Sequence, residues 1–150
     1  MSGPLPAFLL CLVGYMVIAT AIAGQTGQAQ TPTQAGSLVQ EEASIAVRQP
    51  GPHDGGGVTT AFPFFSRAPG FTMAFRKRIL HKGSAIGYHA QEFDEVYYIL
   101  SGIGEYTLNG VTSQVGTGTA MLTRVGDSHG LRPRGDGELA LIIAYQIPAR

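Results

Sequence analysis

His89, Gln91 and Glu95 lie within one short stretch, Gly83 to Gly102, GSAIGYHAQEFDEVYYILSG, and a further imidazole, His129, follows a second glycine turn at Gly126. Imidazole nitrogen, amide oxygen and carboxylate oxygen are donors that suit a divalent ion, and two histidines with one carboxylate leave coordination positions for water or substrate. Residues two apart on a strand face the same way, so His89 and Gln91 share one face, and Glu95, Tyr97 and Ile99 share another. As a fourth ligand Gln91 would supply a harder, weaker donor than imidazole, which moves the preference toward manganese, iron or zinc and away from copper. It suits equally a group that steadies a bound water beside the ligands. A single inward histidine is more often a hydrogen-bonded core residue than a ligand. Glu95 is harder to explain that way, because a carboxylate inside an apolar interior is costly without a cation or donors. Tyr97, on the parity of Glu95, is the candidate catalytic side chain.

Strands must position these groups. Phe71–Leu80 reads as a strand closed by the turn His81-Lys82-Gly83, and Tyr88–Gln91 and Val96–Leu100 follow as short strands. Glu105–Leu108 and Val111–Val115 flank Asn109-Gly110, the dipeptide that best supports the positive φ angles of a two-residue hairpin turn. Ala120–Arg124 is a further strand, Gly126-Asp-Ser a turn that delivers His129, and Leu139–Gln146 closes the series. Glu41–Val47 reads as a short strand or a helical turn, and Gln49 to Gly57 as loop, with His53 a solvated loop histidine. Phe62, Phe64 and Phe65 read as apolar cover for a barrel end. Many short strands with glycine turns and no sustained helical period define an all-β sandwich or small barrel.

The 150 residues carry 10 basic and 10 acidic side chains, a net charge of +0, and only 13% charged residues. That balance excludes the concentrated basic surface that nucleic acid requires. Within the basic run Arg76-Lys77-Arg78, strand alternation splits the charges between two faces and predicts a partly solvated strand. Arg76, Arg132 and Arg134 could hold an anion at the mouth of a barrel, although solvation alone accounts for each. Cys11 stands alone and forms no intramolecular disulfide. From Leu5 to Ala23 the chain is nearly all apolar, and no charged residue precedes Glu41. Residues 1–23 therefore read as a secretory signal, with Ala21-Ile22-Ala23 as cleavage site, or as a membrane anchor; a basic n-region is missing. Residues 24–57 read as a flexible lead and loop, and 58–150 as the folded domain.

The spacings together resemble those of the cupins, small jelly-roll β-barrels. The first cupin motif is written G-x5-H-x-H-x3,4-E-x6-G, and Gly83, His89, Glu95 and Gly102 match it, with Gln91 where the second histidine usually stands. The second is G-x5-P-x-G-x2-H-x3-N; Gly118, Gly126 and His129 match it, with Arg124 at the proline and Pro133 at the asparagine. The likeness runs from Phe71 to Gln146, about half the chain. It implies a single cupin barrel holding one divalent metal ion, of manganese, iron or zinc, on His89, Gln91, Glu95 and His129. It also implies a polar small molecule as substrate or ligand. The family includes dioxygenases, decarboxylases, germin-like oxalate-oxidising proteins, and sugar isomerases and epimerases, and the fold does not choose among them. Oxidoreductase or dioxygenase chemistry is the leading expectation. Isomerase or lyase chemistry and a non-catalytic metal-, sugar- or carboxylate-binding barrel are the alternatives. Pairing into a homodimer through Val58–Phe65 and export to the periplasm or the extracellular space complete the expectations, membrane contact arising only if residues 5–23 are retained.

Overall fold

A computed structural model of the chain describes residues 38–147, together with Met1 and Gly3. The apolar stretch 5–23 and most of the flexible lead lie outside the described residues. After one helical turn, α1 (Glu42–Ile45), ten strands follow in order: β1 (Val47–Gly51), β2 (Gly56–Phe64), β3 (Met73–Leu80), β4 (Ile86–Ala90), β5 (Glu95–Ser101), β6 (Ile103–Leu108), β7 (Val111–Gly116), β8 (Ala120–Thr123), β9 (Ser128–Pro133) and β10 (Leu139–Gln146). They form two antiparallel sheets. One has six strands in the order β1-β2-β3-β10-β5-β8, and the other has four, β4-β9-β6-β7.

The inner faces of the two sheets meet in one core, as in a jelly roll. Leu80, Ile86, Ile99, Leu131, Leu139 and Leu141 are buried there beside Tyr97, Tyr106 and Ile143. Each fully buried aliphatic side chain of this size stabilises the fold by about 1.5–3 kcal/mol. Alternation does the sorting: along β5 Glu95, Tyr97 and Ile99 are buried while Val96, Tyr98 and Leu100 face out. At the β6–β7 turn Asn109 and Gly110 adopt φ of 48° and 80°, the positive pair a two-residue hairpin needs.

Several expectations are corrected. The stretch 49–57 is not all loop: β1 runs to Gly51 and β2 starts at Gly56, so the sheet begins ahead of residue 58. Pro50 misled the reading because proline interrupts central strands, whereas β1 is an edge strand, where a missing N–H costs little. His129 follows the Gly126 turn but belongs to a strand, β9. Phe62, Phe64 and Phe65 do not close the barrel. Phe62 pairs in register with Lys77, whose Nζ sits 5.0 Å from its ring, and Phe64 packs on Phe75 with ring centroids 5.9 Å apart, on the face turned away from the core. Tyr88 and Tyr98 are exposed at 55% and 43%, whereas Tyr106 is buried. β2, the segment read as an exchangeable strand, is held between β1 and β3 of the same chain.

Candidate functional site

The site is assembled across the gap between the sheets. His89 on β4 and His129 on β9 are register partners in the four-stranded sheet. Glu95 opens β5 in the six-stranded sheet and reaches them from the other side. Ligand atoms of His89, Glu95 and His129 all lie within 4.8 Å of one another, so these three residues form a group that could hold a metal ion.

Each imidazole is oriented by its other nitrogen. His89 Nδ1 lies 2.8 Å from the Gly87 carbonyl oxygen. A carbonyl only accepts, so Nδ1 carries the proton and Nε2 of the neutral ring presents a lone pair. His129 Nδ1 lies 2.8 Å from Thr123 Oγ1, which in turn is 2.6 Å from the Tyr106 hydroxyl. That chain lets Thr123 accept from Nδ1–H while donating to Tyr106, again freeing Nε2 as an acceptor. His129 is fully buried, and its Nε2 has no hydrogen-bond partner although Glu95 Oε2 is 3.3 Å away. Two acceptors facing each other in a dry interior repel unless a cation lies between them. The donor set therefore fits a divalent ion.

Gln91 is buried beyond the end of β4, tied at its backbone to Asp127 and Gly126. Its Nε2 donates to Glu95 Oε2. In this arrangement the amide steadies the carboxylate, a contact that neither the fourth-ligand reading nor the bound-water reading of Gln91 had named. Tyr97 is buried next to Glu95 and His129, its ring centroid 5.1 Å from that of His129. Burial first, and then the charge and hydrogen bond of Glu95, push its phenol well above the usual tyrosine range. It stays protonated at neutral pH, which suits a donor and rules out service as a base.

His53 is the first residue the sequence reading misplaced. Its ring stacks on His89, centroids 3.4 Å apart and planes within 3°. The loop that carries it lies against β4: Gly87 N–H donates to the Pro52 carbonyl at 3.0 Å, and a Cβ on Gly87 would fall 1.8 Å from the His53 carbonyl oxygen. Only glycine permits that approach. Burial, and then the neighbouring His89, lower the His53 pKa, keeping the stacked ring neutral.

Arg78 is the second. The basic run was expected to be a partly solvated strand, yet Arg78 is 2% exposed. Its parity with Ala74 and Leu80, both buried, was the available signal. Nη1 donates to Thr59 Oγ1 at 2.7 Å. With the Gln49 amide oxygen turned toward it, Nη1 and Nη2 both donate to that oxygen at 2.9 Å. Desolvation, and then the charge of Arg76, depress its pKa. Of the arginines read as anion holders at the mouth, Arg132 is engaged by Glu105 at 2.7 Å, and Arg76 donates to the Tyr145 hydroxyl at 2.6 Å. His81, in the turn after β3, is half-buried with Nε2 2.8 Å from Thr60 Oγ1 and Nδ1 2.6 Å from Glu138. Glu92 and Asp94 face solvent.

Two antiparallel sheets enclosing a two-histidine, one-carboxylate group that could hold a metal ion define a β-barrel of the jelly-roll class. Residues 77–145 match the cupin domain family, so this part of the chain is a cupin domain. No curated protein matches the sequence. Among solved structures, a predicted oxalate decarboxylase from Thermotoga maritima is 24% identical, with 74% of this chain and 100% of that one covered and a TM-score of 0.65. The polyketide cyclase RemF from Streptomyces resistomycificus is 19% identical, with 75% and 81% covered and a TM-score of 0.63. KdgF from Halomonas sp. is 15% identical, with 60% and 80% covered and a TM-score of 0.50. At these identities the likeness is one of fold.

Proposed function

We propose that this protein is a mononuclear metal-binding cupin that takes a polar small molecule into the barrel, with His89, Glu95 and His129 as the protein ligands. The observation that carries the reading is the buried, unpartnered Nε2 of His129 facing the Glu95 carboxylate. Manganese, iron or zinc suits this mixed nitrogen and oxygen set. When bound, such an ion supplies Lewis acidity at a substrate oxygen or, if redox active, electron exchange with a co-reactant such as dioxygen. The chain's own residues do the rest. Gly87 and Thr123 hold the two imidazole tautomers, Gln91 steadies Glu95, and Tyr97 keeps its proton and offers it as a hydrogen bond.

Oxidoreductase chemistry of the dioxygenase type is favoured over isomerisation, because the latter needs a base and the phenol of Tyr97 is held protonated. The same observation supports a second reading, a barrel that binds metal and ligand without turnover. The activities named for two of the structurally similar proteins, oxalate decarboxylation and polyketide cyclisation, differ enough to leave the reaction itself open. Export rests on the residue 1–23 signal alone, and the mass of the protein recovered from the periplasm or medium of its host tests it.

The deciding experiment is elemental analysis of the protein purified without a metal-affinity tag, beside His89→Ala and His129→Ala. About one ion per chain, lost in both variants, is the expected result. Absence of metal after incubation with manganese, iron and zinc would overturn the reading, and the element found separates redox from non-redox chemistry.

A further inference from the structure

Among the described residues, Glu95 is the one buried carboxylate and Arg78 the one buried cation, and they do not pair. Register explains why. Arg78 lies level with Leu141 on β10 and, through it, with Ile99 on β5, four residues along from Glu95. At about 3.3 Å per residue that is a separation of roughly 13 Å along the strands. Arg76, half-buried on the same face of β3, has no carboxylate partner either; it rests against Tyr145, 5.3 Å from the ring centroid. The inward-facing charges of β3 and β5 are thus two positive and one negative before any metal is counted. A divalent ion on Glu95 would raise the excess further.

A guanidinium in a dry interior normally finds a carboxylate or a full set of acceptors. Arg78 has neither. Thr59 and Gln49 engage Nη1 and the terminal edge of the guanidinium, while Nε is buried and has no partner. The unused side is the Nε–Nη2 edge, the fork whose two parallel N–H groups match the oxygens of a carboxylate. Arg78 shares the inward parity of Leu80 on β3 and lies in register with Leu141, both members of the buried core that also holds Tyr97, so the fork belongs to the same interior as the metal group.

We propose that the β3 wall of the barrel is an anion subsite in which the Nε–Nη2 edge of Arg78 binds the carboxylate of an anionic small-molecule ligand, leaving the ligand's other end toward His89, Glu95 and His129. This deepens the metal-binding reading by naming the ligand class, small carboxylates, and rests on it only for the second half. Nε is closed to water in this conformation, so entry requires a local rearrangement. Arg76 supplies further positive potential.

The test compares pyruvate with its uncharged amide, pyruvamide, by calorimetry on the full chain, metal-loaded and metal-stripped, in the parent protein, Arg78→Met and Arg78→Lys. One charge-assisted bidentate contact predicts a preference for pyruvate of about 10–100-fold in the parent. The preference should survive metal removal, collapse in Arg78→Met, and fall to an intermediate value in Arg78→Lys, which keeps the charge but not the fork. Metal content of the two variants, measured in parallel, should match the parent. A preference unchanged in both variants overturns the subsite while leaving the metal site standing. A preference that disappears on stripping the metal with Arg78 intact also overturns it, because the ion is then the carboxylate's partner. Arg78-dependent selectivity in a protein that takes up no metal supports the subsite and removes the metal reading. Should Arg78→Met fail to fold, Arg78→Lys decides alone.

Discussion

The two walls of the barrel interior fail to satisfy their polar groups in opposite senses. On the β4–β9 side, Gly87 and Thr123 each take up one imidazole nitrogen, and what remains exposed to the interior is an array of acceptors, two Nε2 lone pairs and a carboxylate. On the β3 side, Thr59 and Gln49 take up part of a guanidinium, and what remains is a donor edge carrying positive charge. Neither remainder is stable in a dry core by itself. One wall would suit a cation and the other an anion, so the pattern of incomplete hydrogen bonding specifies by charge the ligand proposed for each.

The largest effect should follow from removing an acceptor. His129→Ala deletes a buried ligand, and metal affinity should drop by more than about 100-fold, exceeding the 10–100-fold typical of losing a supporting partner. Competition with a chromophoric chelator measures this. Next comes the partner itself. Thr123→Val keeps the shape but cannot accept from His129 Nδ1–H, so affinity should fall by about 10–100-fold, and Tyr106 loses its 2.6 Å contact at the same time. An unchanged affinity in Thr123→Val would show that the ring is held by packing alone, and that the acceptor wall owes nothing to its hydrogen bonds.

The donor wall should respond in the opposite direction. Replacing a buried, unpaired charge by an apolar side chain of similar length is often neutral or stabilising. Arg78→Met is therefore expected to raise the unfolding free energy by about 1 kcal/mol in denaturant titrations of the ligand-free protein. A loss of that size would instead make the guanidinium a bracket fastening Gln49 and Thr59, and the contrast between the walls would reduce to architecture.

Alternation and turn chemistry made most of the barrel legible. The β10 limits, the Asn109-Gly110 turn and the inward set of Glu95, Tyr97 and Ile99 all follow from period two and from residues that tolerate positive φ. The ligand spacing was legible for the same reason, since the motif glycines recur where the chain reverses: Gly126, with φ of 88°, ends the turn that feeds His129 into β9. His53 was not legible. Its stacking on His89 depends on Gly87 admitting a loop whose contact is long in sequence and carries no periodic signal. Arg78 was half legible: its parity put it inside with Leu80, but an unpaired arginine is so costly in a core that solvation was the cheaper reading. The site departs from local propensity at the place where a ligand would compensate.

Arg124 offers the control for Arg78, an arginine whose charge is answered. It lies on the surface with Nη1 2.6 Å from Asp94 Oδ2, while the Val125 N–H donates to Oδ1 at 3.2 Å. The Arg124 hydrogen bond first, and the backbone N–H next, hold the Asp94 carboxyl below the usual carboxylate range. A carboxyl whose folded pKa is depressed binds fewer protons than in the unfolded chain. Its small contribution to stability is therefore present above the ordinary Asp value near ~3.9 and is lost as pH falls through the folded value. In Arg124→Ala the Asp94 midpoint, followed by carboxyl NMR, should move up toward the ordinary value but stop short of it, because the Val125 N–H remains. Raising the salt toward about 1 M should produce a similar upward drift in the parent, since exposed pairs are screened within a few ångströms at that ionic strength. The Arg78-dependent preference for a carboxylate, sealed from ions in the barrel, should change far less over the same range. Equal salt sensitivity at both arginines would place Arg78 in contact with bulk solvent and remove the dry, unanswered charge on which the contrast between the walls depends.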